Sequence, residues 1–259
     1  MKIVLVQLKI EWESPAINKS KIESLLNAVE GQSDLIVLPE MFTTGFTMQS
    51  AQFAERMDGK TVNWMISIAD QFDAAITGSI IIEEKGAYFN RLLFVKPGGA
   101  VSYYDKSHLF GIGGEDKAYS KGTRNLIEQF REVNISFQIC YDLRFPVWAR
   151  NINNSYDLLI NVANWPDARR GVWDTLLRAR AIENQCYVVG VNRTGLDGNG
   201  ILYLGDSKVV DPKGDLLTTM KEYKEGVAIC EISLESLRKF RDKFPVYLDA
   251  DRFEIKSDN

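Results

Sequence analysis

Three side chains stand where apolar runs give way to polar ones, and together they are the types that acyl transfer requires. Glu40 ends Leu-Ile-Val-Leu-Pro-Glu, Lys106 follows Val-Ser-Tyr-Tyr-Asp, and Cys140 ends Ile-Ser-Phe-Gln-Ile-Cys. A thiol attacks as its thiolate, and a free cysteine with a pKa near ~8.5 is mostly protonated at neutral pH. The common partner is histidine, but His108 is the only one in the chain, and the sequence ties no Asp or Asn to it. A carboxylate whose proton affinity is raised by burial can accept the proton instead. An ammonium favours the thiolate and then stabilises the oxyanion formed on a carbonyl. Glu, Lys and Cys thus suffice for amide cleavage if they converge. Taken singly, each has a plainer role: Glu40 a solvated carboxylate at a strand end, Lys106 a surface lysine, Cys140 an inert core thiol.

The elements that must position these groups alternate along the chain. Apolar and β-branched runs predict strands over Ile3–Leu8, Asp34–Leu38, Ala75–Ile82, Arg91–Lys96 and Ala100–Tyr104, then Val133–Cys140, Leu158–Val162, Tyr187–Asn192, Leu202–Val210 and Val227–Ile232. Helical spacing covers Lys19–Val29, Val62–Phe72, Trp173–Glu183 and Leu234–Phe240, with a short helix over Phe145–Ile152. Pro97-Gly98-Gly99 reads as a hairpin turn and Gly111–Gly122 as a loop. No repeat or Pro/Ser-rich linker interrupts this alternation, so residues 1–259 read as one α/β domain. In α/β folds the carboxyl ends of strands gather into a crevice, which is where Glu40, Lys106 and Cys140 would meet.

Composition narrows the classes of function. A hydrophobic fraction of 45% and a charged fraction of 25% are those of an ordinary globular protein. The net charge of −4, with scattered basic residues, gives no electrostatic footprint for nucleic acid. The apolar start is too short for a secretory signal, and no run reaches the ~20 residues that cross a bilayer. Three widely spaced cysteines, Cys140, Cys186 and Cys230, favour free thiols in a reducing, cytoplasmic compartment over a disulfide framework. They have no metal-knuckle spacing, so neither zinc nor another metal is expected. A lysine Schiff-base enzyme built on Lys106 lacks the phosphate-cradling glycine loop that a pyridoxal cofactor requires.

Leu-Pro-Glu-Met-Phe at 38–42, Tyr-Asp-Lys-Ser-His-Leu-Phe at 104–110 and Cys-Tyr-Asp-Leu-Arg-Phe-Pro at 140–146 resemble the three signature segments of the nitrilase superfamily (carbon–nitrogen hydrolases), in the family's order. The resemblance extends to 161–166 and 178–192. It implies an α/β fold of the four-layer type, an α-β-β-α sandwich, together with a homodimer and no cofactor. Carried over by position, Glu40 resembles the general base, Lys106 the proton donor or oxyanion-stabilising lysine, and Cys140 the nucleophile. Glu115, in Gly-Gly-Glu-Asp, resembles the supporting second glutamate; the backbone N–H of Tyr141 is the expected second oxyanion donor.

Within the superfamily, Cys-Tyr-Asp-Leu-Arg-Phe-Pro is similar to amidases, whereas true nitrilases typically follow the cysteine with Trp-Glu. Together with Asn-Trp-Pro at 164–166 and Arg-Ala-Ile-Glu-Asn-Gln-Cys-Tyr at 180–187, it resembles omega-amidases, which release ammonia from monoamides such as 2-oxoglutaramate and succinamate. Such a substrate carries a distal carboxylate, for which Arg169 and Arg170 are candidates because an arginine fork grips a carboxylate through two hydrogen bonds. Phe42, Phe46, Phe110 and Trp165 are candidate pocket walls. Arg144 is expected to pair structurally with Asp142, and His108, Cys186 and Cys230 are read as structural. Other branches (N-carbamoyl amino-acid, aliphatic amide or nitrile hydrolysis) and a noncatalytic scaffold are the alternatives.

Overall fold

The computed structural model describes residues 1–29, 31, 33–251 and 253–255. Its strands, in chain order, are β1 (Lys2–Gln7), β2 (Leu35–Val37), β3 (Ala75–Glu84), β4 (Ala87–Val95), β5 (Val101–Asp105), β6 (Ile127–Phe130), β7 (Val133–Ile139), β8 (Leu158–Ala163), β9 (Tyr187–Asn192), β10 (Thr194–Leu196), β11 (Leu202–Leu204), β12 (Lys208–Val210), β13 (Leu216–Thr219) and β14 (Gly226–Glu231). The helices are α1 (Pro15–Leu26), α2 (Ser50–Phe53), α3 (Lys60–Phe72), α4 (Glu115–Ala118), α5 (Arg170–Asn184) and α6 (Leu234–Lys243).

Two six-stranded sheets run in the orders β14-β1-β2-β3-β4-β5 and β13-β12-β9-β8-β7-β6, and β10-β11 forms a separate ribbon. Each has three parallel strands at its centre, β1-β2-β3 and β7-β8-β9, flanked by antiparallel neighbours. The layering follows from side chains alternating across a strand. Ile3, Leu5, Leu35 and Val37 meet Phe137, Ile139, Ile160 and Val162 in a core between the sheets. Val4, Val6 and Ile36 face the other way, against Ile22 and Leu26 of α1 and Met65 and Ala69 of α3. Leu159 and Val188 likewise cover Trp173 and Leu177 of α5. A Cβ on Gly190 would come within 2.6 Å of Leu177, so the missing side chain lets α5 lie against β9. β2, β8 and β9 are buried on both faces along their whole length, as parallel strands covered on both sides are, and the layers stack as helix, sheet, sheet, helix.

Several elements differ from the sequence reading. No helix forms over Phe145–Ile152: a 3-10 turn over Cys140–Arg144 ends at Phe145, which is extended (φ −109°, ψ 91°) ahead of Pro146. Proline disfavours the helical region at the residue before it. The run Leu202–Val210 divides into β11 and β12, because Gly205 and Asp206 both take positive φ, 81° and 57°. Gly111–Gly122 is not all loop; it holds a 3-10 turn at Gly111–Gly113 and then α4. The edge strands β6 and β13 and the ribbon strand β10 were not foreseen, since their alternation is short and partly exposed.

Candidate active site

Cys140 leaves β7 at its carboxyl end in the left-handed region (φ 46°) and opens the 3-10 turn. Positive φ is uncommon for a residue with a side chain, and here the surroundings fix it. The buried Asp142 carboxylate accepts the Ile139 N–H at 3.0 Å, the Tyr104 hydroxyl at 2.8 Å and the His108 N–H at 2.9 Å. The turn is thereby tied to the segment leaving β5. The Tyr141 N–H lies in the first turn, where amides have no partner within the helix and can point at an anion.

Glu40, three residues beyond β2, and Lys106, one beyond β5, come from the other sheet. Lys106 Nζ donates to Glu40 Oε1 at 2.9 Å and to Glu115 Oε1 and Oε2 at 3.0 and 2.9 Å. Asn90, in β4, donates to Glu40 Oε1 at 2.8 Å and to Glu115 Oε1 at 3.2 Å. The Phe110 N–H donates to Glu115 Oε2 at 2.6 Å. Asn164, one residue beyond β8, donates its N–H and Nδ2 to Glu40 Oε2 at 2.8 and 3.2 Å, and Nδ2 also reaches the Glu40 carbonyl at 2.7 Å. The Cys140 thiol donates to the Asn164 carbonyl at 3.7 Å. Five segments distant in sequence thus converge.

The two carboxylates and the ammonium are almost wholly removed from solvent, with side-chain exposures of 0% for Glu40 and Glu115 and 1% for Lys106. Burial works against the Lys106 ammonium, but Glu115 and Glu40 outweigh it and hold the lysine more firmly protonated than usual. Burial pushes the Glu115 carboxyl up, an effect that Lys106 opposes and Glu40 reinforces. The Cys140 thiol is raised well above its ordinary range, first by burial and then by Glu40, with Lys106 pulling the other way. Such a thiol keeps its proton at neutral pH, so attack requires a base acting during the step rather than a preformed thiolate.

Lys106 and Cys140 border a cavity of about 140 Å³ with Phe46, Phe110, Tyr141 and Trp165. At ~30 Å³ per water that is room for a short-chain amide. Glu40 and Glu115 are not among the bordering residues; they stand buried beside Lys106. Arg169 and Arg144 also line the cavity, each with its guanidinium carbon 5.3 Å from a ring centroid, Phe110 and Trp165 respectively.

Four expectations are corrected. Arg144 does not pair with Asp142, whose oxygens are taken by His108, Tyr104 and Ile139. His108 is tied to an aspartate after all, Nδ1 lying 2.8 Å from Asp142 Oδ1 with its ring stacked on Phe145 at 3.8 Å. That pairing bridges two segments far apart in sequence and is invisible in either alone. Phe42 is core, packed against Trp64 outside the cavity, and Arg170 is exposed and paired with Glu222 at 3.1 Å.

Asn90 and Asn164 escaped the sequence reading as site residues, as did Asp197, Asn199, Ile201 and Tyr203, which bring the β10-β11 ribbon to the cavity wall. The available signal was an amide side chain inside or at the end of an apolar strand, where burial obliges it to find partners. Among the described residues, no group of three or more His, Cys, Asp or Glu is placed to hold a metal ion.

Known proteins resemble this chain in sequence and in fold. The carbon-nitrogen hydrolase family model matches residues 2–242. Omega-amidase YafV of Escherichia coli K12 is 44% identical over 255 residues, covering 98% of both chains. The 2-oxoglutaramate amidase of Bacillus subtilis is 32% identical, covering 95% of this chain and 96% of its own. Among solved structures, a CN-hydrolase superfamily protein from Xanthomonas campestris, crystallised with an arsenic adduct in its active site, superposes with a TM-score of 0.97 at 44% identity, covering 99% of each chain. The chain belongs to the carbon–nitrogen hydrolase family.

Proposed function

We propose that this protein is an omega-amidase: a hydrolase that converts the distal amide of a small 2-oxo-dicarboxylic monoamide, of the 2-oxoglutaramate or succinamate type, to acid and ammonia through a thioester on Cys140. The observation that carries the chemistry is the Lys106 ammonium, 2.9 Å from both Glu40 and Glu115, buried at the wall of a small cavity that Cys140 also borders. The omega-amidase and 2-oxoglutaramate amidase relatives support the choice of substrate. In this reading residues 1–259 act as one carbon–nitrogen hydrolase domain, working in the cytoplasm as a homodimer.

Glu40 accepts the thiol proton as Cys140 Sγ bonds to the amide carbon. Lys106 and the Tyr141 N–H hold the resulting oxyanion. Because its carboxylate neighbours keep Lys106 protonated, it serves as a fixed positive charge rather than as the proton donor. The carbon–nitrogen bond then breaks, Glu40 returns the proton to the leaving nitrogen, and ammonia departs. Water, deprotonated by Glu40, attacks the thioester; the carbon–sulfur bond breaks, the sulfur regains the proton, and the acid is released. Glu115 supports Lys106 throughout. Phe46, Phe110 and Trp165 enclose the carbon chain, and Arg169 receives the far carboxylate.

Ammonia release from 2-oxoglutaramate and succinamate, measured against propionamide, an N-carbamoyl amino acid and a simple nitrile, tests this reading. The dicarboxylic monoamides are expected to exceed the others in kcat/KM by about two orders of magnitude, the worth of a charge-assisted arginine–carboxylate pair. Equal rates on propionamide would refute it.

A further inference from the structure

Asn164 occupies a place that none of the roles above assigns. The parallel pairing of β7 with β8 sets Ile139 beside Val162, so the chain leaves the two strands side by side, carrying Cys140 from one and Asn164 from the other. Asn164 then reaches across the sandwich: its N–H and Nδ2 meet Glu40 Oε2 at 2.8 and 3.2 Å, and Nδ2 meets the Glu40 carbonyl at 2.7 Å. Its own carbonyl receives the Cys140 thiol at 3.7 Å. Both acceptors facing Nδ2 are oxygens, which fixes the orientation of the side-chain amide; the flipped form would set oxygen against oxygen.

The other hydrogen bonds to the Glu40 carboxylate come from Asn90 and Lys106, both from the first sheet. Among the described residues, every direct hydrogen bond joining Glu40 to the second sheet therefore comes from Asn164. The apolar side chains between the sheets hold them together without direction, whereas proton transfer needs heavy atoms within hydrogen-bond reach and correctly aligned. We infer that Asn164 is the positioning residue that sets the Glu40 carboxylate against the Cys140 thiol, joining the sheet that carries the base to the sheet that carries the nucleophile. The inference rests on the Glu40–Cys140 chemistry proposed above and adds to it the residue that aligns the two.

Two variants test it, each read by ammonia release from succinamate and by the pH profile of Cys140 alkylation with iodoacetamide, located by peptide mass mapping. Asn164→Ala removes the Nδ2 bonds and keeps the backbone ones. It is expected to lower kcat about 10- to 100-fold, the effect of a ~1 Å misplacement, with KM within about threefold. Alkylation at neutral pH slows with it. Asn164→Asp is isosteric but sets a second carboxylate against Glu40, whose other charged or titratable neighbours (Lys106, Glu115, Cys140 and Tyr119) stay unchanged. Like charges raise the pair's proton affinity, so the acid limb of both profiles moves up by about one pH unit or more. If the alanine variant does not fold, the aspartate variant carries the test alone. A loss confined to KM in Asn164→Ala, or an Asn164→Asp profile lowered equally at every pH, would overturn the inference. Failure of the wild type to release ammonia would refute the proposed substrate, while the alkylation profiles would still decide on Asn164.

Discussion

Replacing Glu115 by glutamine is a sharper perturbation than its near-identity of shape implies. The carboxylate receives Lys106 twice, Asn90 once and the Phe110 N–H once. All of these partners are donors. A glutamine has one acceptor oxygen, so whichever way its amide is turned, an NH₂ group faces Lys106 and either Asn90 or the Phe110 N–H. Two charge-assisted bonds are lost at about 1.5–3 kcal/mol each, partly offset because a neutral amide costs less to bury than a carboxylate. The net destabilisation is about 2–4 kcal/mol, measurable by urea unfolding. Lys106 is left with Glu40 as its carboxylate partner and is drawn toward the base, so kcat falls about 10- to 100-fold, equivalent to roughly 1.4–2.8 kcal/mol of barrier.

The same variant has a signature in pH. Burial raises the Glu115 carboxyl above its reference value of 4.5 in the folded protein. The folded state then binds this proton more tightly than the unfolded chain does, so the group's contribution to stability is complete below the unfolded value and is lost as pH rises through the folded one. Glutamine has no such slope. The stability gap between wild type and Glu115→Gln should therefore be widest in acid and narrow toward neutrality. A gap that widens with pH, or a variant within about 1 kcal/mol of wild type with unchanged kcat, would refute the reasoning.

Two further outcomes follow from the geometry. Arg169→Ala should raise KM for succinamate about tenfold or more while Arg170→Ala stays within about twofold, because one guanidinium lines the cavity and the other pairs with Glu222 on the surface; steady-state kinetics of both variants checks this, and equal effects would contradict it. Because the Cys140 thiol is raised above its reference value of 9.0 on folding, wild type should lose stability relative to Cys140→Ser as pH rises through that value; parallel pH–stability curves from urea titrations would contradict this.

The parts of this molecule that the sequence made legible are those governed by local pattern. A central strand such as β2 is buried on both faces and so reads as an unbroken apolar run, and Glu40 follows its carboxyl end as that run implies. Elements fixed by single backbone angles were not legible: one apolar stretch becomes β11 and β12 because Gly205 and Asp206 both turn left-handed. Nor were partnerships made across the sandwich. Asn164 to Glu40 spans 124 positions, and His108 to Asp142 spans 34; a residue's type shows that it needs a partner, but only the fold shows which one. Arg144 illustrates the converse, since the aspartate two positions away offered an obvious pair that the backbone directs elsewhere.

That Cys140 forms a covalent acyl intermediate is tested most directly by intact-protein mass spectrometry of enzyme acid-quenched during turnover of succinamate. A mass increase equal to the acyl group, mapped to the Cys140 peptide and absent from Cys140→Ala, is the predicted result. Acylation of another residue, or ammonia release by Cys140→Ala at the wild-type rate, would contradict the account.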